Sequence, residues 1–268
     1  MEKCEMKKKR RRLKKSVKRA LAGIVAAVIV LTIALVAGGN REREPPVPTN
    51  PDIGKETVYK IELMDVYPQD LRTLYEKNEE ARDFVLSYFL EKDNEQYVDI
   101  SDYKYTDTVP HFLQWDTRWG YMDYGGECVG VAGCGPLALS MGGDYLTRDE
   151  YKFSPEKVVE FALDEGYCYA DVGTSWSLMT EGAEDLGLTV ETLPLSEAYI
   201  AESVTSGKPV ILIMGPGVFT SVGHFIVVHG YEDGYFLIND PNSIKRTEKR
   251  WQFSEFSDQI LNIWSYSY

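Results

Sequence analysis

A cysteine flanked by glycines is the feature of this sequence that most suggests chemistry. The motif reads Gly-Cys-Gly-Pro at residues 133–136, and the apolar residues 137–141 predict a helix with proline in its first turn. This places Cys134 at a helix amino terminus, where free amide groups and the helix dipole lower a thiol pKa from about 8.5. The sequence therefore predicts a nucleophilic cysteine, and the alternative is a small buried cysteine at a tight turn.

A predicted β-hairpin brings a candidate base and a candidate carboxylate together. Residues 224–231 are rich in β-branched and aromatic side chains, Asp233-Gly234 suits a tight turn, and residues 235–239 form the returning strand. Since the start of the first strand faces the end of the second, we expect His224 and Asp240 to lie close together. A carboxylate there fixes the imidazole tautomer and stabilises the imidazolium. A strand-end histidine and an Asp-Pro turn are the structural alternatives.

A glutamine upstream of the cysteine is the fourth candidate. Gln114 lies in the segment VPHFLQWDTRWG, residues 109–120. Its side-chain amide can donate a hydrogen bond to a developing oxyanion, and with the backbone amide of Cys134 it would supply the two donors that acyl transfer uses. A polar loop residue beside two core tryptophans fits the same spacing.

These segments resemble the papain-like cysteine peptidases related to the double-glycine, bacteriocin-leader-processing peptidases, in the stand-alone form common in Gram-positive bacteria. The resemblance covers roughly residues 108–268 and rests on VPHFLQWDTRWG, AGCGPLALSM, GTSW at 173–176, GKPVILIM, GHFIVVHGY and INDPNS, in that order. It implies a peptide or protein substrate, no cofactor, and four catalytic residues: Cys134 as nucleophile, His224 as general base, Asp240 as orienting residue and Gln114 as oxyanion donor. The bacteriocin exporters carry their glutamine only a few residues before the cysteine, whereas here 20 positions separate the two.

The catalytic stretch predicts an α+β fold in which helices come first and antiparallel strands last. Helix-start signals at Ser154, Ser175 and Ser196 predict helices that run to about residues 165, 186 and 206. A buried strand follows at 209–214, then the hairpin and a last strand near 260–266. We expect the papain-like arrangement, with the Cys134 helix packed against the sheet.

The amino-terminal residues predict a membrane anchor. Residues 7–19 contain ten Lys or Arg, and residues 20–38 contain no charged residue. As a helix, 20–38 would span about 28 Å, close to the hydrocarbon thickness of a bilayer. The basic flank predicts a cytoplasmic amino end, so everything after Gly38 should lie outside the cytoplasm. A cleaved signal peptide and a secreted protein are the alternative, because residues 36–39 are small.

We therefore predict five segments along the chain. They are a basic cytoplasmic segment at 1–19, a transmembrane anchor at 20–38, a proline-rich stalk at 39–55, a helical prefix at 56–107 and the catalytic domain at 108–268. Within the prefix, residues 68–91 have helical periodicity with a break near Asn78.

Charge and residue usage exclude several classes of function. Residues 41–268 hold 18 basic and 40 acidic residues, and this acidic body would repel nucleic acid, so we predict no nucleic-acid partner. Because the chain has three histidines and no HExxH or paired CxxC motif, we predict no metal site. Cys128 and Cys168 form a disulfide or are core residues, and the sequence leaves both possibilities open.

Three functions fit these observations. The first is a membrane-anchored, extracytoplasmic cysteine peptidase. The second is a cell-wall peptide amidase with the same mechanism. The third is a non-catalytic peptide-binding domain that keeps the fold, because a fold does not prove an activity.

Overall fold

The computed structural model describes residues 66–93, 98–103, 107–170 and 173–268. These residues all belong to one compact unit, Lys55–Tyr268. The predicted anchor at 20–38, its basic flank and the stalk lie outside the described residues. Within the described ranges, no helix combines the length and the apolar character needed to cross a bilayer.

Two helices precede the predicted catalytic stretch. Helix α1 is Gln69–Lys77 and α2 is Arg82–Glu91, with a short 3-10 turn between them. The predicted break at Asn78 is confirmed, because its side chain accepts a hydrogen bond from the amide of Glu80 and so starts the 3-10 turn. Phe84 of α2 is buried and stacks on Tyr121 with ring centroids 4.3 Å apart, which ties α2 to the following chain.

The middle of the chain forms two small ribbons and a group of helices. These elements are β1 Asp123–Tyr124, β2 Glu127–Cys128, α3 Val129–Ala132, α4 Cys134–Thr147, α5 Glu150–Phe153, α6 Pro155–Asp164, β3 Cys168–Tyr169 and β4 Gly173–Thr174. Helix α4 begins at Cys134 with Pro136 in its first turn, as predicted. All its residues from 135 to 144 are buried, so α4 is a central helix rather than an amphipathic surface helix. Ser154 caps α6, as predicted.

The last part of the chain carries the main sheet. Its elements are α7 Glu181–Asp185, β5 Thr189–Thr192, α8 Glu197–Thr205, β6 Val210–Met214, β7 His224–Glu232, β8 Tyr235–Asn239, α9 Ile244–Glu248, β9 Arg250–Trp251 and β10 Ile260–Ser267. The continuous helix predicted from Ser175 to residue 186 is wrong. Ser175 caps a 3-10 turn, and α7 starts only after Thr180, whose hydroxyl hydrogen-bonds to the carbonyl of Ser177 and competes with regular helix bonding.

The main sheet has six antiparallel strands in the order β5-β10-β6-β7-β8-β9. The predicted hairpin is its β7–β8 pair, and both turn residues, Asp233 (φ 53°) and Gly234 (φ 82°), adopt the positive φ of a tight hairpin turn. His229 forms a bulge in β7, between the pairs made by Val228 and Gly230. Mixed helices and an antiparallel sheet are thus the observed fold class, as predicted.

The sheet is covered by helices on both faces. Alternate residues of β6 and β7 point to opposite sides. Ile211, Ile213, Phe225 and Val227 belong to the core that includes α4, whereas Val210, Leu212, Ile226 and Val228 pack with residues of α8. Burial on both faces explains why β6 reads as an uninterrupted apolar run. Because each fully buried aliphatic side chain contributes about 2 kcal/mol, α4 is held firmly on β7.

Candidate active site

Three of the predicted side chains meet at the floor of a cleft. Cys134 is the first residue of α4, His224 is the first residue of β7, and Asp240 directly follows β8. The Nε2 atom of His224 lies 2.7 Å from Oδ1 of Asp240. Since Asp240 engages Nε2, Nδ1 is the nitrogen left for the thiol, and the imidazole hydrogen-bonds to Cys134. The hairpin register brings the imidazole and carboxylate together, and the packing of α4 on β7 adds the thiol.

Asp240 is fully buried and has several hydrogen-bond donors. Its Oδ2 accepts from Nε of Arg246 at 2.5 Å, and its Oδ1 also accepts from the amide of Asn242 at 2.7 Å. Burial favours the neutral acid, but the charges and hydrogen bonds of His224 and Arg246 outweigh it and hold the pKa of Asp240 well below its usual range. The carboxylate is therefore ionised at neutral pH.

The imidazole and the thiol stabilise each other's charged forms. Burial on its own raises the pKa of the Cys134 thiol, but the hydrogen bond and charge of His224 and the amide of Phe225 outweigh it and lower that pKa. Burial likewise disfavours the imidazolium of His224, but the charge and hydrogen bond of Asp240 raise its pKa above the ordinary value. This combination favours a thiolate–imidazolium pair, which is the reactive form of a cysteine nucleophile.

The other described cysteines have the opposite electrostatics. Burial raises the pKa of the Cys128 thiol to about 12, and it also raises the pKa of Cys168. Both residues are free thiols, so the disulfide alternative is wrong. Each is partly buried and packs against a hydrophobic cluster. Among the three described cysteines, only Cys134 combines a histidine partner with a lowered pKa.

Gln114 lies at the site, but its amide is already engaged. It borders the cleft with Cys134 and His224, and its Nε2 donates to the carbonyls of Gly130 (2.9 Å) and Val131 (3.1 Å). Exchanging the amide oxygen and nitrogen would point an oxygen at two carbonyls, so this orientation is the favourable one. Donation to an oxyanion would replace one of these two bonds. As the first residue of α4, Cys134 has a backbone amide without an intrahelical acceptor.

A set of hydrogen bonds that the sequence did not predict ties the Gln114 segment to the Asp240 segment. They run from Nδ2 of Asn239 to the carbonyls of Val109 and Pro110 (3.0 Å each), from Nε2 of His111 to the carbonyl of Asp240 (2.7 Å), and from the amide of Gln114 to the carbonyl of Pro241 (2.7 Å). The side chains of Asn239 and His111 are therefore positioning groups for the site. For Asn239, the available signal was a polar residue at the end of a predicted strand.

The glycine after the cysteine makes room for a neighbouring strand. A Cβ on Gly135 would lie 2.6 Å from the side chain of Thr174 in β4. The hydroxyl of Thr174 in turn hydrogen-bonds to that of Tyr124 at 2.8 Å. Gly135 thus lets β4 approach the start of α4, which explains why the GTSW segment belongs with the cysteine motif.

The cleft above these side chains has a volume of about 1080 Å³. One border is the loop at residues 215–223 between β6 and β7, and another is helix α1 of the predicted prefix. The sequence assigned α1 no contact with the site. The sequence pattern that could have indicated this contact is a set of polar residues at 69, 70, 73 and 77, whose helical spacing puts them on one face of α1. In the described ranges, no cluster of three or more His, Cys, Asp or Glu is arranged to hold a metal ion.

Comparison with known protein families agrees with this geometry. The model of the Peptidase C39-like family matches residues 106–268, which is more than half of the chain. The chain belongs to this family. Membership confirms the predicted resemblance and supports a peptidase or a related function for the C39-like stretch. The family also includes inactive members, so the activity of this chain depends on the site.

Two solved structures of C39 peptidases are similar to this chain. One is the peptidase domain of Streptococcus ComA, a bi-functional ABC transporter involved in a quorum-sensing pathway, with 17% identity, a TM-score of 0.41, and coverage of 59% of this chain and 98% of that one. The other is a putative C39-like peptidase from Bacillus anthracis, with 16% identity, a TM-score of 0.41, and coverage of 60% and 96%. No curated protein matches this chain. The family assignment rests on the match over residues 106–268.

Proposed function

We propose that this chain is a cysteine peptidase that hydrolyses peptide bonds through a thioester on Cys134. The observation that carries the proposal is the connected set of thiol, imidazole and buried carboxylate at the floor of an open cleft. Its central contact is the 2.7 Å hydrogen bond between His224 and Asp240. A cysteine that served only in packing would need neither a charged partner nor a lowered pKa.

The arrangement supports a two-step acyl transfer. The thiolate of Cys134 attacks the carbonyl carbon of the substrate, and the imidazolium of His224 gives its proton to the leaving amine as the carbon–nitrogen bond breaks. The acyl group is left as a thioester. The neutral imidazole then takes a proton from water, the hydroxide attacks the thioester, and the carbon–sulfur bond breaks to restore the ion pair. Asp240 holds the imidazole and balances its charge throughout.

The oxyanion formed in both steps needs hydrogen-bond donors. The backbone amide of Cys134 is one donor, at the positive end of the α4 dipole. Gln114 is the second in this proposal, and its amide would exchange the longer bond, to the carbonyl of Val131, for a bond to the oxyanion.

We also propose that the activity lies on the outer side of a membrane. The support is the sequence: residues 1–40 carry 11 basic and 2 acidic residues around an uncharged stretch at 20–38, and the remainder of the chain is strongly acidic. In this arrangement the single-pass anchor precedes a solvated domain. Secretion after signal cleavage would leave the catalytic chemistry unchanged.

The test is cleavage of a diverse peptide library by the full chain, with cut sites identified by mass spectrometry. Cys134→Ala and His224→Ala should each lower hydrolysis by a thousandfold or more, of the order seen when a nucleophile or its base is removed. Cys168→Ser, which changes a thiol away from the cleft, should cleave like wild type. Undiminished hydrolysis by Cys134→Ala would rule out the mechanism.

Two further readouts distinguish the alternatives. Release of soluble fragments from cell-wall material, without cleavage of linear peptides, would identify the wall amidase. Binding of peptides without cleavage of either substrate would identify the non-catalytic domain. For the anchor, a protease added to intact cells should digest residues 41–268, and complete protection would contradict the proposed topology.

A further inference from the structure

Helix α1 borders the cleft although it lies outside the stretch that matches the family. The family match starts at residue 106, whereas α1 is Gln69–Lys77. The α1 residues that line the cleft are Gln69, Asp70, Thr73, Leu74, Lys77 and the helix-ending Asn78. Their spacing of three and four positions puts them on one face of the helix. Helix α1 is therefore a wall of the cleft that lies outside the stretch matching the family.

The end of helix α1 and the turn after it are hydrogen-bonded to the loop that follows Asp240. The side-chain amide of Asn78 donates to both the carbonyl and Oδ1 of Asn242, each at 2.9 Å. The carboxylate of Glu80 accepts from the hydroxyl of Ser243 at 2.6 Å and from the amide of Lys245 at 3.0 Å. These bonds join residues more than 160 positions apart, so α1 holds a set position relative to the reacting groups.

The two ends of the wall carry opposite charges. The carboxylate of Asp70 lies near β2, where it adds to the burial that raises the pKa of the Cys128 thiol. Lys77 lies at the other end, next to Asn78 and its contact with Asn242. Seven helical positions separate the two, which is about 10 Å. Neither Asp70 nor Lys77 forms an ion pair with another residue of the described ranges.

The other basic residue at the cleft border is already neutralised. Arg246 also lines the cleft, but its Nε is bonded to Oδ2 of Asp240. Lys77 is therefore the cationic side chain of this border that is available to a ligand. At the β2 end, Glu127 lines the cleft together with Asp70, so that end is acidic.

We propose that α1 selects substrates by charge, taking peptides that carry a basic side chain beside Asp70 and an acidic side chain beside Lys77. An extended peptide rises about 3.3 Å per residue, so the two selected positions would be about three residues apart. This inference rests on the proposed peptidase function, because it names the substrate class of the same cleft. The prefix is then a specificity element rather than a spacer.

The experiment measures kcat/KM of the full chain for fluorogenic peptides built on a library cleavage site, with Lys, Glu or Ala at each position in turn. Wild type should prefer Lys at one position and Glu at another by about threefold to fivefold over Ala, the range expected for exposed charge pairs. Lys77→Glu should invert the Glu preference alone, and Asp70→Lys should invert the Lys preference alone. Both preferences should weaken at high salt.

A matched control uses the same helix. Glu76 is exposed and does not line the cleft, so Glu76→Lys changes the charge of α1 by the same amount as Asp70→Lys but should alter no preference. If charge reversal prevents folding, as judged by a thermal melt, Asp70→Asn and Lys77→Gln replace it and should abolish rather than invert the preference.

The outcomes separate this inference from the proposed function. If wild type cleaves peptides but the Asp70 and Lys77 variants keep its position preferences, the charge selection is wrong and the peptidase function stands. If wild type cleaves no peptide, the proposed function is wrong and this inference is wrong with it. Equal changes in Glu76→Lys and Asp70→Lys would also overturn it, because a general charge effect would then explain the data.

Discussion

Replacing His224 by glutamine should make the Cys134 thiol much less reactive at neutral pH. Glutamine fills a similar space but carries no positive charge to stabilise a thiolate as an imidazolium does. In the wild type, the hydrogen bond and charge of His224 outweigh the burial that would raise the pKa of Cys134. Without them, burial remains and the negative charge of Asp240 adds to it, so the thiol pKa should rise above its ordinary value.

The size of the effect follows from the thiolate fraction. A thiol with a pKa of about 8.5 is about 3% ionised at pH 7, and each unit of increase lowers that fraction about tenfold. Cys128 shows what burial does without a histidine, since its pKa is about 12. We therefore expect alkylation of Cys134 at pH 7 to slow by about a hundredfold or more in His224→Gln.

The assay is a time course of iodoacetamide labelling between pH 5 and pH 10, followed by mass spectrometry of the cysteine-containing peptides. In wild type the labelling rate of Cys134 should reach half its maximum below pH 8.5, and in His224→Gln above that pH. Cys128 and Cys168 are internal controls in the same digest. Both should label slowly at neutral pH in both proteins, because burial raises their pKa values.

Two results would refute this reasoning. One is a wild-type protein in which Cys134 and Cys168 share the same pH midpoint. The other is a labelling profile of Cys134 that does not change in His224→Gln. Either result would show that the imidazole does not control the ionisation of the thiol, and the proposed mechanism would lose its nucleophile.

Two further predictions concern stability. The pKa of Asp240 is about 2 in the folded protein, so its carboxylate contributes about 2 kcal/mol that is present above about pH 4 and lost as the pH falls toward 2. In denaturant titrations, the difference in unfolding free energy between wild type and Asp240→Asn should be smaller at pH 2 than at pH 5 by that amount. A difference that is the same at both pH values would contradict the lowered pKa of Asp240. Gly130→Ala should lower the thermal midpoint by the equivalent of about 1–3 kcal/mol, because its Cβ would lie 2.5 Å from the ring of Phe84. Combining it with Phe84→Leu should restore part of the loss. An unchanged midpoint for Gly130→Ala would show that the ring of Phe84 does not pack against Gly130.

Elements with strong local signals were predictable from the sequence. Pro136 in the first turn marks the start of α4, and Asp233-Gly234 marks the turn of the β7–β8 hairpin. The short edge strand β5 and the interruption at Thr180 were missed. The first depends on pairing with β10 at the far end of the chain, and the second on side-chain hydrogen bonds that compete with the helix.

Parts of the candidate site could not be predicted because no local pattern carries them. Arg246 is six residues beyond Asp240 on a short polar helix, and nothing in its neighbourhood indicates that it points at a buried carboxylate. Asn78 and Asn242 form a hydrogen bond across 164 positions of chain. Contacts of this kind depend on how complete elements pack, and the residue types involved are common on any protein surface.

The chain sequence was enough to pair His224 with Asp240, because a hairpin of 17 residues has one register that buries its apolar side chains and closes its turn. It was also enough to place Cys134 at the start of a helix. Folding in three dimensions settled which way the Gln114 amide points, which cation neutralises Asp240, and that α1 borders the cleft. Those outcomes depend on hydrogen bonds and burial between segments far apart in the chain, and such contacts form only once the elements have packed together.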